Sequence, residues 1–465
     1  MKKIRLILIL FCFPFALSAE EGQFSLNDLK QTALANNPQI MEKKAEWRKA
    51  DADYKGAKAS RLPLLKGDAS FTWMTHPREP ITLDAGELGQ IPYGGTLVPI
   101  PQNDVVVYEG MKKTYYQLGL ELTQPVFTWG KLQNAVKAAE SGRNAAGLKL
   151  LWQENRTLTE ISILFYSLYY VTEMEEILEE QKPITDRLAV ISEESWKNGF
   201  ILQTDYYDAK IKIREIDILG TELEGKRKNI LLNLEELTGI TDLTAERIDF
   251  SGIEPDISLF TLPGEDVLLV MADENSLELK LLREGISASE YLLKLEKGYR
   301  NGKPDLGLNI GMDITGESFP FSGEEWTDDW DVNVLFSVGI STTIYDFGRT
   351  RQKINAKASE KDEALCQYET GRNSIRRNVI QNRIALDLSR VKIDYLSLKA
   401  ENEKLTADQK KRTWQSGYGD ETLYLIALLD YHTARIKVCE EMINFHTARF
   451  TLQSLTDPYS PGEDY

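Results

Sequence analysis

The sequence repeats itself once, and this duplication limits the possible folds more than any other feature. Gly130 and Gly199 are 69 residues apart, and so are Gly348 and Gly417. Trp196 and Trp414 each stand three residues before the second glycine of their pair, and Leu237-Thr238 recurs as Leu455-Thr456. One offset, 218 residues, relates all these pairs. A single shared dipeptide would mean little, but a constant offset over this length marks a duplication. Upstream, Asn37-Pro38 matches Asn275-Ser276, and Pro63 matches Pro304 at an offset of 241. The first half therefore carries 23 extra residues, which fall in one Pro/Gly-rich segment, residues 76–111.

Each half has the same order of parts. A helix is expected at about 26–61 and again at 276–300. Two period-two segments follow in each half. In 304–316, Leu306, Leu308, Ile310, Met312 and Ile314 alternate with Gly307, Asn309, Gly311, Asp313 and Thr315. Residues 331–345 alternate in the same way, as does the stretch around Tyr116, Leu118, Leu120 and Leu122; 66–74 is the weakest. Such segments are strands with one apolar face, of about the ~10 residues that a tilted strand needs to cross a bilayer. Trp73, Tyr115, Phe127, Trp129, Trp330, Tyr345 and Phe347 lie near their ends, where an aromatic girdle would sit. Gly307-x-x-x-Gly311 is strand glycine and not a helix-dimer motif, because the surrounding period is two.

A very long helical pattern comes next, at 130–196 and 348–414, with Pro183 expected to kink the first. At ~1.5 Å per residue each would run roughly 100 Å. A glycine turn, Asn198-Gly199-Phe200 or Ser416-Gly417-Tyr418-Gly419, then starts a returning helix. Long antiparallel hairpins with 3–4 apolar spacing read as coiled coil. Four strands cannot close a barrel, since about eight is the minimum. Their edges must pair with other chains, and strand counting alone allows two, three or four copies.

Lys2, Lys3 and Arg5, an apolar run over 4–15, and Leu17-Ser18-Ala19 before Glu20-Glu21 have the layout of a secretory signal peptide, with cleavage expected between Ala19 and Glu20. The context of Cys12 is poor for a lipid-attachment box. No later apolar run approaches a membrane helix. The net charge of −17 argues against nucleic acid as a partner. Three cysteines and three histidines are too few and too scattered for a metal or disulfide framework. Cys366 and Cys439 should be far apart along a hairpin and unbonded. No nucleophile–base set or P-loop appears, so neither an enzyme nor a cofactor is expected.

Several segments carry a family likeness: Ala33-Leu34-Ala35-Asn36-Asn37-Pro38, Ala57-Lys58-Ala59-Ser60-Arg61-Leu62-Pro63, Gln124-Pro125-Val126-Phe127-Thr128-Trp129-Gly130, Tyr345-Asp346-Phe347-Gly348-Arg349, and the spacings Gly199 to Ala209 and Gly417 to Ala427. In this order, and duplicated, they resemble the TolC family of outer-membrane efflux and secretion channels over nearly the whole chain after the leader. The resemblance implies a mainly α fold with a small β part. Duplicated long hairpins would form an α-barrel, and four strands per chain a shared trimeric transmembrane β-barrel. The implied division is a signal peptide (1–19), a first repeat (20–238), an equatorial connection (239–275), a second repeat (276–456) and a tail (457–465). The implied function is a passive exit duct in the outer membrane lipid, with a periplasmic helical tube. It would be a homotrimer coupled through a periplasmic adaptor to an inner-membrane pump or ABC exporter. The alternative is an exported coiled-coil scaffold of the cell envelope, which would not need four alternating segments.

The resemblance also assigns candidate residues. The Asp205 position in related channels lies at the constricted periplasmic end and joins a gating network; Asp208 is its neighbour. The bland reading of Asp205 is a helix-start acid on the dipole. The family's paired acids and lock arginine are replaced by Leu423, Ile426 and Gly419, so the complete lock does not carry over. Gly199-Phe200 and Gly417-Tyr418 are candidate adaptor-docking turns, against the alternative of tight turns with the aromatic folded back. Lys197, Lys410, Lys411 and Arg412 lie near these turns. Glu324, Glu325, Asp328, Asp329 and Asp331 crowd one strand-connecting loop, read as solvated rather than as a calcium site. His432 and His446 lie on the last helix, and His446 takes an apolar stripe position, as a packed histidine does.

Overall fold

The computed structural model describes residues 23–253, 261–319 and 330–458. The expected cleavage site at Ala19 and Glu20, the acidic loop residues Glu324, Glu325, Asp328 and Asp329, and most of the tail lie outside the described residues. Two compact units are present. The first comprises the described residues up to Arg48, Ala145–Arg283, and those from Cys366 onward; the second is Lys49–Asn144 with Glu284–Leu365.

The helices repeat residue for residue. Helix α1 (Leu26–Asn36) and α2 (Pro38–Ala59) have 11 and 22 residues; α5 (Glu265–Asn275) and α6 (Leu277–Gly298) have the same lengths. Helices α3 (Lys131–Lys197) and α7 (Arg349–Gln415) both have 67, and α4 (Gln203–Thr238) and α8 (Glu421–Thr456) both have 36. The one long helix expected at 26–61 is therefore two, and the second repeat has the same elbow, with α5 preceding residue 276. The cause is local. The buried Asn37 side chain accepts the Gln39 and Ile40 N–H groups at 2.9 and 3.2 Å, capping α2, and donates to the Leu237 carbonyl at the end of α4. Asn275 makes the matching bond to the Thr456 carbonyl at the end of α8, 2.9 Å. A side chain that satisfies orphan helix-end groups fixes where the chain turns. Helix α3 runs through Pro183 as one continuous helix, at the cost of the hydrogen bond that Pro183 cannot donate.

In the first unit, Leu29, Ala33, Ile161, Phe165, Leu168, Leu234 and Leu237 form one core around α1, α3 and α4. A second, around α5, α7 and α8, holds Leu268, Ile375, Val379, Leu386, Met442 and Phe445. The residues between α4 and α5 start with a bridge from Phe24 to Ile248 and a short 3-10 turn, Ala245–Arg247.

The second unit holds the sheet. Strands β1 (Leu64–Trp73), β6 (Thr114–Phe127), β7 (Asp305–Gly316) and β8 (Trp330–Ser341) lie side by side in the order β1-β6-β7-β8, all antiparallel. The register aligns the alternation. Leu65 pairs with Leu122, Leu122 with Ile310, and Ile310 with Phe336, so one face is apolar across all four strands. Lys66, Asp68, Glu121, Asp313 and Asn333 take the other face. There Gly119 leaves room for Asp68, whose carboxylate lies where a Cβ would be. Every residue of β1 is exposed, as are most of β8. The strand expected at 331–345 ends at Ser341, which pairs with Asp305, the first residue of β7; the ladder stops there, although the Thr343 carbonyl still accepts the Gly302 N–H at 3.2 Å. Residues 76–111 are not a bare loop. They hold two small ladders, β2 (Ile81–Leu83) with β5 (Val105–Tyr108), and β3 (Gln90–Tyr93) with β4 (Thr96–Pro99).

Candidate functional site: the two hairpin tips

Both long hairpins turn in the same way. The Gly199 N–H donates to the Trp196 carbonyl (3.0 Å) and the Phe200 N–H to the Ser195 carbonyl (2.8 Å); Gly417 and Tyr418 repeat this onto Trp414 (2.9 Å) and Thr413 (3.1 Å). This is the Schellman arrangement, which needs a left-handed residue after the helix. The glycines supply it, at φ 75° and 80°. The following aromatics do not fold back: Phe200 is 81% exposed and Tyr418 91%.

The repeated tryptophans explain their own recurrence. Trp196 stacks on Tyr206 at 4.9 Å and 8°, and Trp414 on Tyr424 at 5.6 Å and 10°, so each tip is pinned across its two helices. Tyr206 and Tyr424 were not singled out in the sequence, although the 218 offset relates them too.

The acids at the tips differ between repeats. The Asp205 carboxylate accepts the Leu202 N–H at 3.2 Å, reaching back over the start of α4. In the second repeat the position equivalent to Asp205 is Leu423, which is half-exposed, and the capping acid is Asp420, which accepts the Thr422 N–H at 2.8 Å. Asp420 thus does for α8 what Asp205 does for α4, from three residues earlier. Asp208 is exposed one turn into α4. Gly419 cannot carry a side chain in this turn, since a Cβ would lie 2.8 Å from the Trp414 nitrogen and 3.0 Å from the Thr413 carbonyl carbon. Ile426 is half-buried with Leu425 and Leu429.

The tips are joined by ionic contacts that periodicity does not reveal. The Arg187 guanidinium donates to both Glu421 oxygens at 2.9 Å, tying α3 to α8. Farther along, Arg435 reaches Glu180 at 2.5 Å, with His432 3.4 Å from the same carboxylate. Burial, and then the charge of Arg435, lower the His432 pKa. Lys197 pairs with Glu193 at 2.6 Å, whereas Lys410, Lys411 and Arg412 lie exposed. His446 is packed, as its stripe position implies: it stacks on Tyr166 at 4.3 Å, and neither ring nitrogen has a hydrogen-bond partner. Cys366 and Cys439 are both free thiols. Among the described residues, no group of side chains has the makings of a metal site.

Comparison with known proteins agrees with this geometry. Residues 29–240 match the model of a family described as outer membrane efflux protein. No curated protein is a significant match. Among solved structures, the Campylobacter jejuni CmeC outer membrane channel superposes with a TM-score of 0.71 at 17% identity, covering 94% of this chain and 87% of that one. The outer membrane protein VceC of Vibrio cholerae gives 0.71 at 15% identity, with coverage of 93% and 96%. The open state of the Neisseria gonorrhoeae MtrE outer membrane channel gives 0.68 at 14%, with 93% and 88%. Residues 29–240 are thus similar to the outer membrane efflux protein family, and over nearly its whole length the chain has the fold of these outer-membrane channels.

Proposed function

We propose that the protein is the passive outer-membrane exit duct of a tripartite efflux or type I secretion system, working as a homotrimer. The observation that carries this reading is the four-stranded sheet, apolar across one whole face and, among the described residues, unpaired along both edges. Exposed edges and an exposed apolar face are unstable in a lone chain in water. Both are satisfied when β8 of one copy pairs with β1 of the next and the ring closes in lipid. In an all-antiparallel order these edges run in opposite directions, so copies join without reversing the alternation. Three copies give twelve strands. No helix among the described residues is long and apolar enough to cross a membrane, so strands must make any crossing. The four alternating strands also weigh against a purely structural scaffold.

In this reading the tips, Gly199-Phe200 and Gly417-Tyr418, meet a periplasmic adaptor, and an inner-membrane pump or ABC exporter supplies the energy. Exposed aromatics on rigid turns suit the first role. Asp205 and Asp208, repeated around a threefold axis, would form an acidic ring that favours cations. The proposed leader ends at Ala19, and the repeats and their connection keep the boundaries given above. Mass spectrometry of the complex extracted from outer membranes tests the assembly: a trimer of chains beginning at Glu20 is expected. A monomer in the soluble periplasmic fraction would overturn it.

A further inference from the structure

The two hairpins agree in length but not in what they bury partway along. In the first, Pro183 stands in the interior of α3, 16 residues or about 24 Å before Gly199. It has no N–H for the Glu179 carbonyl. Two residues away, Gln181 takes a place on the buried stripe between Leu178 and Ile184 and is 0% exposed. Among the described residues, neither polar atom of its side chain has a hydrogen-bond partner. Thr185 is buried as well, and its hydroxyl turns back onto the Lys182 carbonyl of its own helix at 2.8 Å. Back-bonding of this kind bends helices. Helix α4 is weak at the same level. Gly220 lies in its interior, so close to α3 that a Cβ there would be 3.0 Å from Leu178 Cδ2. Leu178 is only five residues, about 8 Å, from Pro183. Glycine within a helix weakens it.

The duplication supplies the comparison. The 218 offset carries Gln181, Pro183 and Thr185 to Lys399, Glu401 and Glu403 of α7, and Gly220 to Val438 of α8. Lys399 and Glu401 are exposed, and Glu403 partly so. Neither α7 nor α8 contains a proline, and α8 contains no glycine. The proline, the orphan amide and the glycine thus coincide in one hairpin and are all missing from its copy. A buried polar group without a partner destabilises its surroundings and is satisfied only where water reaches it. An internal proline and water entering the hydrogen-bond ladder are two of the recognised causes of a sharp helix bend.

We propose that the first hairpin carries a hinge, residues 179–185 of α3 with 218–222 of α4, on which its tip-ward part swings while the second hairpin stays a stiff rod. Bending opens the layer to water, which then bonds the Gln181 amide and the Glu179 carbonyl and offsets the cost of the bend. In the described state the tip-ward part is held by Leu188 and Ala209, in one small apolar cluster with Leu425 and Leu429 of α8, and by the Arg187–Glu421 pair. The Arg187 side chain is half-exposed, so that pair contributes little. A small cluster and an exposed ion pair make a unit of low local stability. The two tips of a chain then differ in mobility: Phe200 rides on the hinged hairpin and Tyr418 on the stiff one. The use of such a hinge in a duct rests on the function proposed above, whereas the hinge belongs to the single chain.

Amide hydrogen exchange of the full-length protein in detergent micelles tests the hinge. The second hairpin is the reference, because Pro183 and Glu401 are equally far from their tip glycines. Residues 179–187 and 216–222 should exchange roughly tenfold faster, or more, than 397–405 and 434–440. Gln181→Leu removes the orphan amide, and Pro183→Ala restores the missing hydrogen bond. Each should slow exchange in 179–187 by about fivefold or more and leave 397–405 unchanged. Equal protection of the two hairpins in the native protein would overturn the hinge, as would variants that gain no protection. Native mass spectrometry of the same sample tests the oligomeric reading separately. An oligomer with equally protected hairpins defeats the hinge alone, while a monomer with unequal protection defeats the assembly alone.

Discussion

At residue scale, His446 is a neutral base kept in an apolar stack. Burial, and to a lesser degree the charge of Arg449, lower its pKa from 6.5 to about 4. The unfolded chain therefore binds the proton first as the pH falls. The resulting loss of stability begins near pH 6.5 and is complete near pH 4, on the order of 3 kcal/mol in all. His446→Leu should flatten the dependence of the thermal midpoint on pH across this window, and an unchanged slope would show that other groups dominate it. Asp205 is at once a backbone-capping acid and the proposed cation-selective group, and one substitution separates the roles. Asp205→Asn keeps an acceptor for the Leu202 N–H, so stability should hardly move, while the acidic ring loses its charge. Single-channel recordings in asymmetric KCl should show a clearly reduced cation preference with only modest change in leakiness. An unchanged reversal potential would leave Asp205 with the capping role alone.

At the scale of elements, the tight second tip depends on Gly419, whose φ is ordinary but whose surroundings admit no Cβ. Gly419→Ala should loosen the tip by about 1–3 kcal/mol, seen as faster amide exchange near Trp414 and Tyr424. Gly142→Ala in α3, where a Cβ meets nothing within 4 Å, is the control: it should stabilise its own helix slightly and leave exchange at the tip unchanged. The long helices were legible to within about a residue because glycines that must adopt positive φ punctuate both ends, Gly130 and Gly348 before, Gly199 and Gly417 after. The elbows were not legible. Asn37-Pro38 lies between apolar residues, Leu29 and Ala33 before and Ile40 after, that read as one continuous helix, and the cap that breaks it is completed by the distant Leu237 carbonyl. The end of β8 was misjudged because alternation continues past the last pair of the β7–β8 ladder. Of the tip residues, the turns could be read from glycine spacing. Asp420 caps α8 locally, and an acid just before a helix is a readable signal that went unread; Arg187 and Glu421 could not be read, because their pairing depends on what lies across the hairpins.

At the scale of the whole molecule, the equal lengths of α3 and α7, and of α4 and α8, give each chain two nearly equivalent hairpins. A trimer would then present six similar tips of two kinds. Cysteines at Phe200 and Tyr418 should both crosslink to the cognate adaptor. Crosslinks confined to the middle of the hairpins would refute docking at the tips. The kinds differ in charge: Asp205, Asp208, Glu193 and Glu194 surround the first, and Lys410, Lys411 and Arg412 lie by the second. Raising salt should therefore weaken the two adaptor crosslinks unequally if charge contributes to docking, since exposed charges are screened.

The open strands β1 and β8 also have a genetic consequence. A chain that can still offer one edge but not the other joins a ring and stops it from closing. Such an allele, for example a proline replacing Val334 or Val338 in β8, would be dominant when co-expressed with the native gene. The surviving share of complete rings would fall as a power of the native share, with the exponent counting the subunits. For three subunits, an equal mixture would leave about one ring in eight, so a dose series of the poisoned allele would count the copies without purifying the channel.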